Sequence, residues 1–160
     1  MPHELRHRAT AVVQVGEAPR VSTASEGLDY PLVTPEGLGG RGGDGVSAEG
    51  LLAAGYAACF HAALGYAATL RGVTLPANVR VSASVEVGRG AEEPRFEADI
   101  IVEAALPSLA PAAARDLVEA ARDLWPYGGG MPSIDVRPAA AGVGSDQASA
   151  EAAEGRGYGG

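Results

Sequence analysis

The feature that most constrains the fold is an uncharged run: residues 51–70 contain no Asp, Glu, Lys or Arg. Ser47 before the run suits an N-cap, and Gly72 after it suits a helix stop, with Arg71 beside it as a favourable cation. The run therefore predicts a single helix of about 24 residues and roughly 36 Å, at 1.5 Å per residue. Such a helix has no polar face and must be covered by protein or by lipid. Because alanine and glycine dominate it and insert weakly into bilayers, we expect a buried helix rather than a membrane span.

The rest of the chain is predicted to form strands and one amphipathic helix. Alternating apolar and polar residues predict strands, and in the clearest pair Phe96 and Ala98 are expected to face inward. The second helix begins at Ser108 or Pro111, and Leu124 is expected in its core-facing stripe. The predicted strands cover residues 9–15, 20–25, 28–34, 79–87, 96–104 and 133–137, and the second helix ends at residue 125.

This order predicts one α+β domain over residues 1–138. One small sheet cannot cover the long helix, so we expect a dimer in which antiparallel sheets wrap paired central helices. Residues 139–160 consist mainly of Ala, Gly, Ser and charged residues, without periodicity. This composition predicts a disordered tail.

Charge and cysteine content exclude several classes of function. The formal net charge is −8, which argues against nucleic-acid binding and against anionic membrane surfaces. The single cysteine cannot form an intramolecular disulfide, and the N-terminus has no apolar leader, so a cytoplasmic location is expected. The sequence predicts no metal site and no cofactor.

A glycine-rich loop precedes the long helix. Residues 37–45 hold six glycines and include a G-x-G-x-x-G match over residues 37–42. A dinucleotide site would need a helix that opens within the motif and an acidic residue about twenty positions later. The helix here begins only near Ser47, so a flexible or tightly packed loop is the favoured interpretation.

Cys59 lies within the long helix and has two interpretations. Free cysteines are commonly buried as small apolar residues, but a thiolate can also act as a nucleophile. His61 cannot act as its base within one chain, because positions two apart on a helix differ by about 200°.

Two segments carry a family resemblance. Gly39-Gly-Arg-Gly-Gly-Asp-Gly45 followed by Ser47-Ala-Glu-Gly-Leu-Leu-Ala-Ala-Gly-Tyr-Ala-Ala-Cys-Phe60 resembles the organic hydroperoxide resistance branch of the Ohr/OsmC superfamily. There a glycine-rich loop leads into an N-P-E-Q-L-F-A-A-G-Y-x-A-C-F helix. Trp125-Pro126-Tyr127 and the later Ile134-Asp135-Val136 are similar to the family's C-P-Y-S…I-D-V segment.

The resemblance implies an intertwined α+β homodimer in which a cysteine thiolate reduces organic hydroperoxides to alcohols. It places Cys59 at the peroxidatic position and Glu49 at the family's glutamate. An arginine beside the sulfur would stabilise the thiolate and hold the peroxide, and the glutamate would fix that arginine. Glu17 stands where ungapped counting puts the family's arginine, so Arg20 is the candidate cation.

Arg41 in the glycine-rich loop is the alternative candidate for this cation.

Tyr56, Phe60 and Trp125 are expected to form an apolar substrate pocket.

This chain departs from the family at the resolving cysteine, where it has Trp125. The expected cycle is therefore a one-cysteine peroxidase cycle with an external thiol or dithiol as reductant. The alternative is a non-catalytic family member that binds an apolar small molecule or serves a structural role.

Overall fold

The computed structural model describes residues 7–16, 19–23, 26–89, 96–125 and 134–138. The expected tail after residue 138 and the Pro126-Tyr127 part of the family motif lie outside these residues. The described chain forms an α+β fold with two helices and two three-stranded sheets. The strands are β1 (Ala11–Gln14), β2 (Arg20–Thr23), β3 (Asp29–Pro31), β4 (Arg80–Arg89), β5 (Phe96–Ala105) and β6 (Ile134–Pro138), and the helices are α1 (Ala48–Leu70) and α2 (Pro111–Leu124).

The first sheet is antiparallel, with order β1-β2-β3. The second has the order β4-β5-β6, and β6 pairs with β5 in parallel, Ile100 opposite Ile134. This parallel pairing is an addition to the antiparallel arrangement expected from the sequence.

Helix α1 forms as its caps predict. The Ser47 hydroxyl oxygen accepts a hydrogen bond from the Gly50 amide at 3.0 Å, which satisfies one of the free N–H groups of the first turn. At the other end Gly72 adopts a φ of 65°, and the Val73 amide donates to the Ala68 carbonyl oxygen at 2.9 Å. A left-handed glycine followed by this six-to-one bond is a Schellman stop.

The chain divides into two compact units, residues 1–55 with 85–98, and residues 56–84 with 99–160. Among the described residues of the first unit, Val21 is the single buried hydrophobic residue. The second unit holds the apolar core, to which α1, β5 and α2 contribute. Its members are Phe60, Leu64, Ala67, Ala68, Ile100, Val102, Ala104, Leu106, Ala114, Leu117, Val118, Ala121 and Trp125.

Three expected core positions are exposed. Phe96 is 55% exposed and Ala98 is exposed as well, because both belong to the unit that has only one buried apolar side chain. Leu124 is 41% exposed. On a helix with 100° per residue it lies about 20° beyond Leu117, at the edge of the buried arc.

The glycine-rich loop is closely packed at Gly40 and Gly45 and has no dinucleotide-binding geometry. A short 3-10 turn occupies Glu36–Leu38, and Val46 then forms a parallel bridge with Leu32 before α1 begins. A Cβ on Gly45 would lie 2.7 Å from the Pro31 carbonyl oxygen. Glycine is therefore required by close packing at this position.

Candidate functional site

Cys59 is a free, half-buried thiol in the middle of α1. Tyr56 precedes it by three positions and is also half-buried. Residues three apart lie on the same helix face, and helix side chains lean toward the N-terminus. The Cys59 side chain therefore leans toward the turn that carries Tyr56.

An aromatic cluster of three residues forms at this part of α1. The Trp125 ring packs edge to face against Tyr56, at a centroid distance of 5.8 Å, and against Phe60, at 5.2 Å, with interplanar angles of 78°. The structure thus brings together the three residues that the sequence suggested for an apolar pocket. Edge-to-face pairs of this kind add about 0.5–1.5 kcal/mol beyond their buried area.

The end of α2 positions the indole. Trp125 is the first residue after the helix, with an extended backbone (φ −76°, ψ 118°), and its amide donates to the Arg122 carbonyl oxygen at 3.3 Å. Ala114, Val118 and Ala121 form a buried stripe on α2, and Trp125 continues that stripe into the core.

The three aromatic residues differ in accessibility. Phe60 is 0% and Trp125 3% exposed, whereas Tyr56 is half-buried. Phe60 and Trp125 therefore form a packed support, and a ligand at this surface of the second unit would contact Tyr56 and Cys59. Their role in substrate binding stays a prediction.

Glu49 lies in the first turn of α1, where the helix dipole favours a carboxylate. Its Oε2 atom is buried and has no hydrogen-bond partner among the described residues. A buried carboxylate oxygen without a donor is costly. A cation or another hydrogen-bond donor beside this oxygen would offset that cost.

Arg20 has a defined partner. Its Nε and NH2 atoms both lie 3.0 Å from the Asp29 Oδ1 atom, and NH2 also lies 3.4 Å from the Asp29 carbonyl oxygen. Arg20 pairs in register with Pro31, and Ser22 pairs with Asp29. The guanidinium and the carboxylate are thus diagonal neighbours on one face of the hairpin. Asp29 was not identified from the sequence as the partner of Arg20, because the pairing depends on the register of the two strands.

Arg41 is exposed in the glycine-rich loop, and no ion pair or hydrogen bond joins its side chain to a described residue. Arg20, Arg41 and Glu49 belong to the first unit and Cys59 to the second.

His61 is exposed on α1. It lies about 200° around the helix from Cys59, so it does not share the face that carries the thiol. Within the described ranges, no group of three or more His, Cys, Asp or Glu residues is arranged to hold a metal ion.

Of the helices in the described part of the chain, α1 alone is long and apolar enough to cross a membrane. The core helix of a soluble protein has the same length and composition, so this property alone does not distinguish the two.

Comparison with known proteins places the chain in a family. The model of OsmC-like proteins matches residues 40–136. An organic hydroperoxide resistance protein of Xanthomonas axonopodis pv. citri (strain 306) is 35% identical over 126 residues, which cover 79% of this chain and 87% of the relative.

Solved structures agree with this match. An organic hydroperoxide resistance protein from Elizabethkingia anophelis superposes with a TM-score of 0.76 at 26% identity, over 86% of this chain and 99% of that one. One from Legionella pneumophila gives a TM-score of 0.73 at 29% identity, over 84% and 97%. The α+β fold, the sequence motifs and these matches together show that the chain belongs to the Ohr/OsmC superfamily.

Proposed function

We propose that this protein reduces organic hydroperoxides to alcohols, with Cys59 as the attacking thiolate. The observation that carries the proposal is the half-buried thiol in the middle of α1, within a matched OsmC-like segment. The names of its relatives, which are organic hydroperoxide resistance proteins, support the same chemistry.

The reaction forms and breaks one bond in each step. The Cys59 sulfur attacks the terminal oxygen of ROOH, the O–O bond breaks, and the sulfur becomes a sulfenic acid. The RO⁻ group leaves and takes a proton to become ROH. The cysteine is oxidised by two electrons and the peroxide is reduced by two.

A second thiol must come from outside, because the chain has one cysteine. An external thiol R′SH condenses with the sulfenic acid, which gives a mixed disulfide and water. A second R′SH, or the other thiol of a dithiol, then releases Cys59 and forms R′SSR′. No further cofactor is required by this cycle.

The surroundings of Cys59 favour an apolar substrate. Between residues 55 and 63 the side chains are small or apolar except for Tyr56, Cys59 and the exposed His61. The rings of Phe60 and Trp125 are buried and pack against each other. Such a surface suits an alkyl or aryl hydroperoxide better than hydrogen peroxide.

Glu49 and Arg20 are proposed to stabilise the reacting charges. The Arg20–Asp29 pair is exposed, with side-chain accessibilities of 44% and 64%, and exposed pairs contribute only about 0.2–1 kcal/mol. Arg20 can therefore leave Asp29 at low cost. The buried Glu49 oxygen, which has no donor among the described residues, offers it a second carboxylate in the same unit.

The proposed function also includes a homodimer as the active form. The first unit has one buried hydrophobic residue among its described positions, while Val12, Val13 and Leu52 are 55%, 50% and 50% exposed. A second copy that covers these side chains would supply the missing core. A soluble, cytoplasmic homodimer is thus part of the proposal, with no nucleic acid and no membrane as partner.

A second candidate is a family member without peroxidase chemistry that binds an apolar small molecule or serves a structural role. Two observations favour it. Arg20 is held by Asp29, and a buried tryptophan occupies the position at which the motif has its second cysteine.

Turnover separates the two candidates. Purified protein is incubated with cumene hydroperoxide and excess dithiothreitol, and the cumyl alcohol formed is measured by chromatography. The peroxidase produces many equivalents of alcohol, while Cys59→Ser stays at the rate without protein. Equal rates for the two proteins would support the non-catalytic candidate.

A further inference from the structure

The departing alkoxide of the proposed reaction needs a proton. An alkoxide is a poor leaving group in an apolar setting, because nothing there stabilises its charge. A positioned acid that donates the proton during O–O cleavage contributes roughly 10²–10⁴-fold to the rate.

On the stretch of α1 that carries the thiol, few side chains can donate one. From residue 55 to residue 63 the proton-bearing side chains are those of Tyr56, Cys59 and His61. His61 is exposed and lies about 200° from Cys59 around the helix. Tyr56 lies one turn before Cys59 on the same face.

The geometry of the second unit holds the Tyr56 ring in place. The buried indole of Trp125 packs edge-on against it at 5.8 Å, and Phe60 contacts the same indole at 5.2 Å. Tyr56 is the half-buried member of this cluster, and Cys59 on the same helix is half-buried as well. The Tyr56 side chain is therefore partly exposed, while its ring is constrained by the indole.

The spacing suits a bound hydroperoxide. Cβ atoms three positions apart on a helix are about 5–6 Å apart, and the phenol hydroxyl lies further out. In a bound hydroperoxide, the terminal oxygen would contact the sulfur and the other oxygen would contact a hydroxyl. The sulfur and that hydroxyl oxygen would then be roughly 7 Å apart.

We propose that Tyr56 is a general acid of the peroxidase reaction and that its hydroxyl protonates the departing RO⁻ group. The assignment rests on the proposed function. The S–O bond forms as the O–O bond breaks, the phenol proton moves to the alkoxide oxygen, and the phenolate regains a proton from water. No further oxidant or reductant is involved in this step.

The test compares two oxidants with different leaving groups. Cumene hydroperoxide releases an alkoxide, which needs a proton, whereas perbenzoic acid releases a carboxylate, which does not. Second-order rate constants for Cys59 oxidation are measured under single-turnover conditions for wild type and Tyr56→Phe. Tyr66→Phe is the matched control, because Tyr66 also lies on α1 and is 57% exposed.

For Tyr56→Phe we expect a loss of about 100-fold with cumene hydroperoxide and a rate with perbenzoic acid that is unchanged within about threefold. Tyr66→Phe should match wild type with both oxidants. Phenylalanine keeps an aromatic ring at position 56, so the aromatic cluster should stay intact. The fluorescence emission of Trp125, the only tryptophan, checks this.

Equal rates for Tyr56→Phe and wild type, or equal losses with both oxidants, would overturn the assignment while leaving the peroxidase proposal in place. If wild type reacts with perbenzoic acid and not with cumene hydroperoxide, the proposed function fails, and the assignment fails with it.

Discussion

Trp125 and Phe60 pack edge to face with ring centroids 5.2 Å apart, and both side chains are buried. This contact joins the end of α2 to the turn of α1 that carries Cys59. By the resemblance of the Trp125-Pro126-Tyr127 segment to the family's C-P-Y-S motif, the indole stands where that motif has a cysteine. The contact shows that this position carries a large, buried apolar side chain.

The first prediction concerns this support. Trp125→Ala should lower the free energy of unfolding by about 3–5 kcal/mol, because a buried aromatic side chain leaves a cavity. Leu124→Ala is the neighbouring control, and since Leu124 is 41% exposed, it should cost about 1 kcal/mol or less. Urea unfolding at fixed protein concentration measures both. Equal losses would show that the aromatic cluster does not stabilise the fold.

The second prediction concerns overoxidation. With no other cysteine in the chain, the Cys59 sulfenic acid has no internal thiol with which to condense. Excess cumene hydroperoxide should therefore add a second and a third oxygen atom and inactivate the protein irreversibly. Intact-mass spectra over time follow these additions. Dithiothreitol present from the start should prevent them, and a sulfenic acid that persists in excess peroxide without dithiothreitol would contradict the expectation.

The third prediction concerns the cation. Arg20→Gln should slow Cys59 oxidation by cumene hydroperoxide by tenfold or more, since one charge-assisted contact in the transition state contributes about 1.5–3 kcal/mol. Asp29→Asn, which releases Arg20, should leave the rate unchanged or raise it. Arg41→Gln is the matched control on the glycine-rich loop. If Arg41→Gln slows the reaction and Arg20→Gln does not, Arg41 is the active cation.

The regular elements were predictable because their signals are local. The uncharged run, Ser47 and Gly72 fix α1 to within one residue at each end, and alternation locates β4 and β5. The exposure of Phe96 and Leu124 was not predictable, because it depends on which parts of the chain cover them.

The candidate site was predictable where the two family-like motifs carry its residues. The helix motif suggests Cys59, Tyr56 and Phe60, and the Trp125-Pro126-Tyr127 segment suggests Trp125. The structure shows the Tyr56 and Phe60 rings in contact with the indole. The Arg20–Asp29 pair depends on strand register across a hairpin, which a single-sequence pattern does not specify.

The fourth prediction concerns assembly. Light scattering should give a homodimer of twice the 16.1 kDa chain mass. Leu52→Glu should weaken the dimer, because it adds a charge to an exposed apolar position of α1, while an acidic residue near a helix N-terminus does not destabilise the helix itself. Ala113→Glu adds the same charge at an exposed position of α2 and should leave the dimer intact. A folded wild-type monomer at micromolar concentration would contradict the dimer.

The central claim is that Cys59 reacts with organic hydroperoxides. Intact-mass analysis after one equivalent of cumene hydroperoxide tests it most directly, with Cys59→Ser as the control. Exchange of sulfur for oxygen changes little volume, so the serine variant should fold and keep its mass.

Wild type should gain one oxygen atom, or form a mixed disulfide when a small thiol is present, and should release one equivalent of cumyl alcohol. A wild-type protein that keeps its reduced mass while the peroxide remains unconsumed would contradict the account.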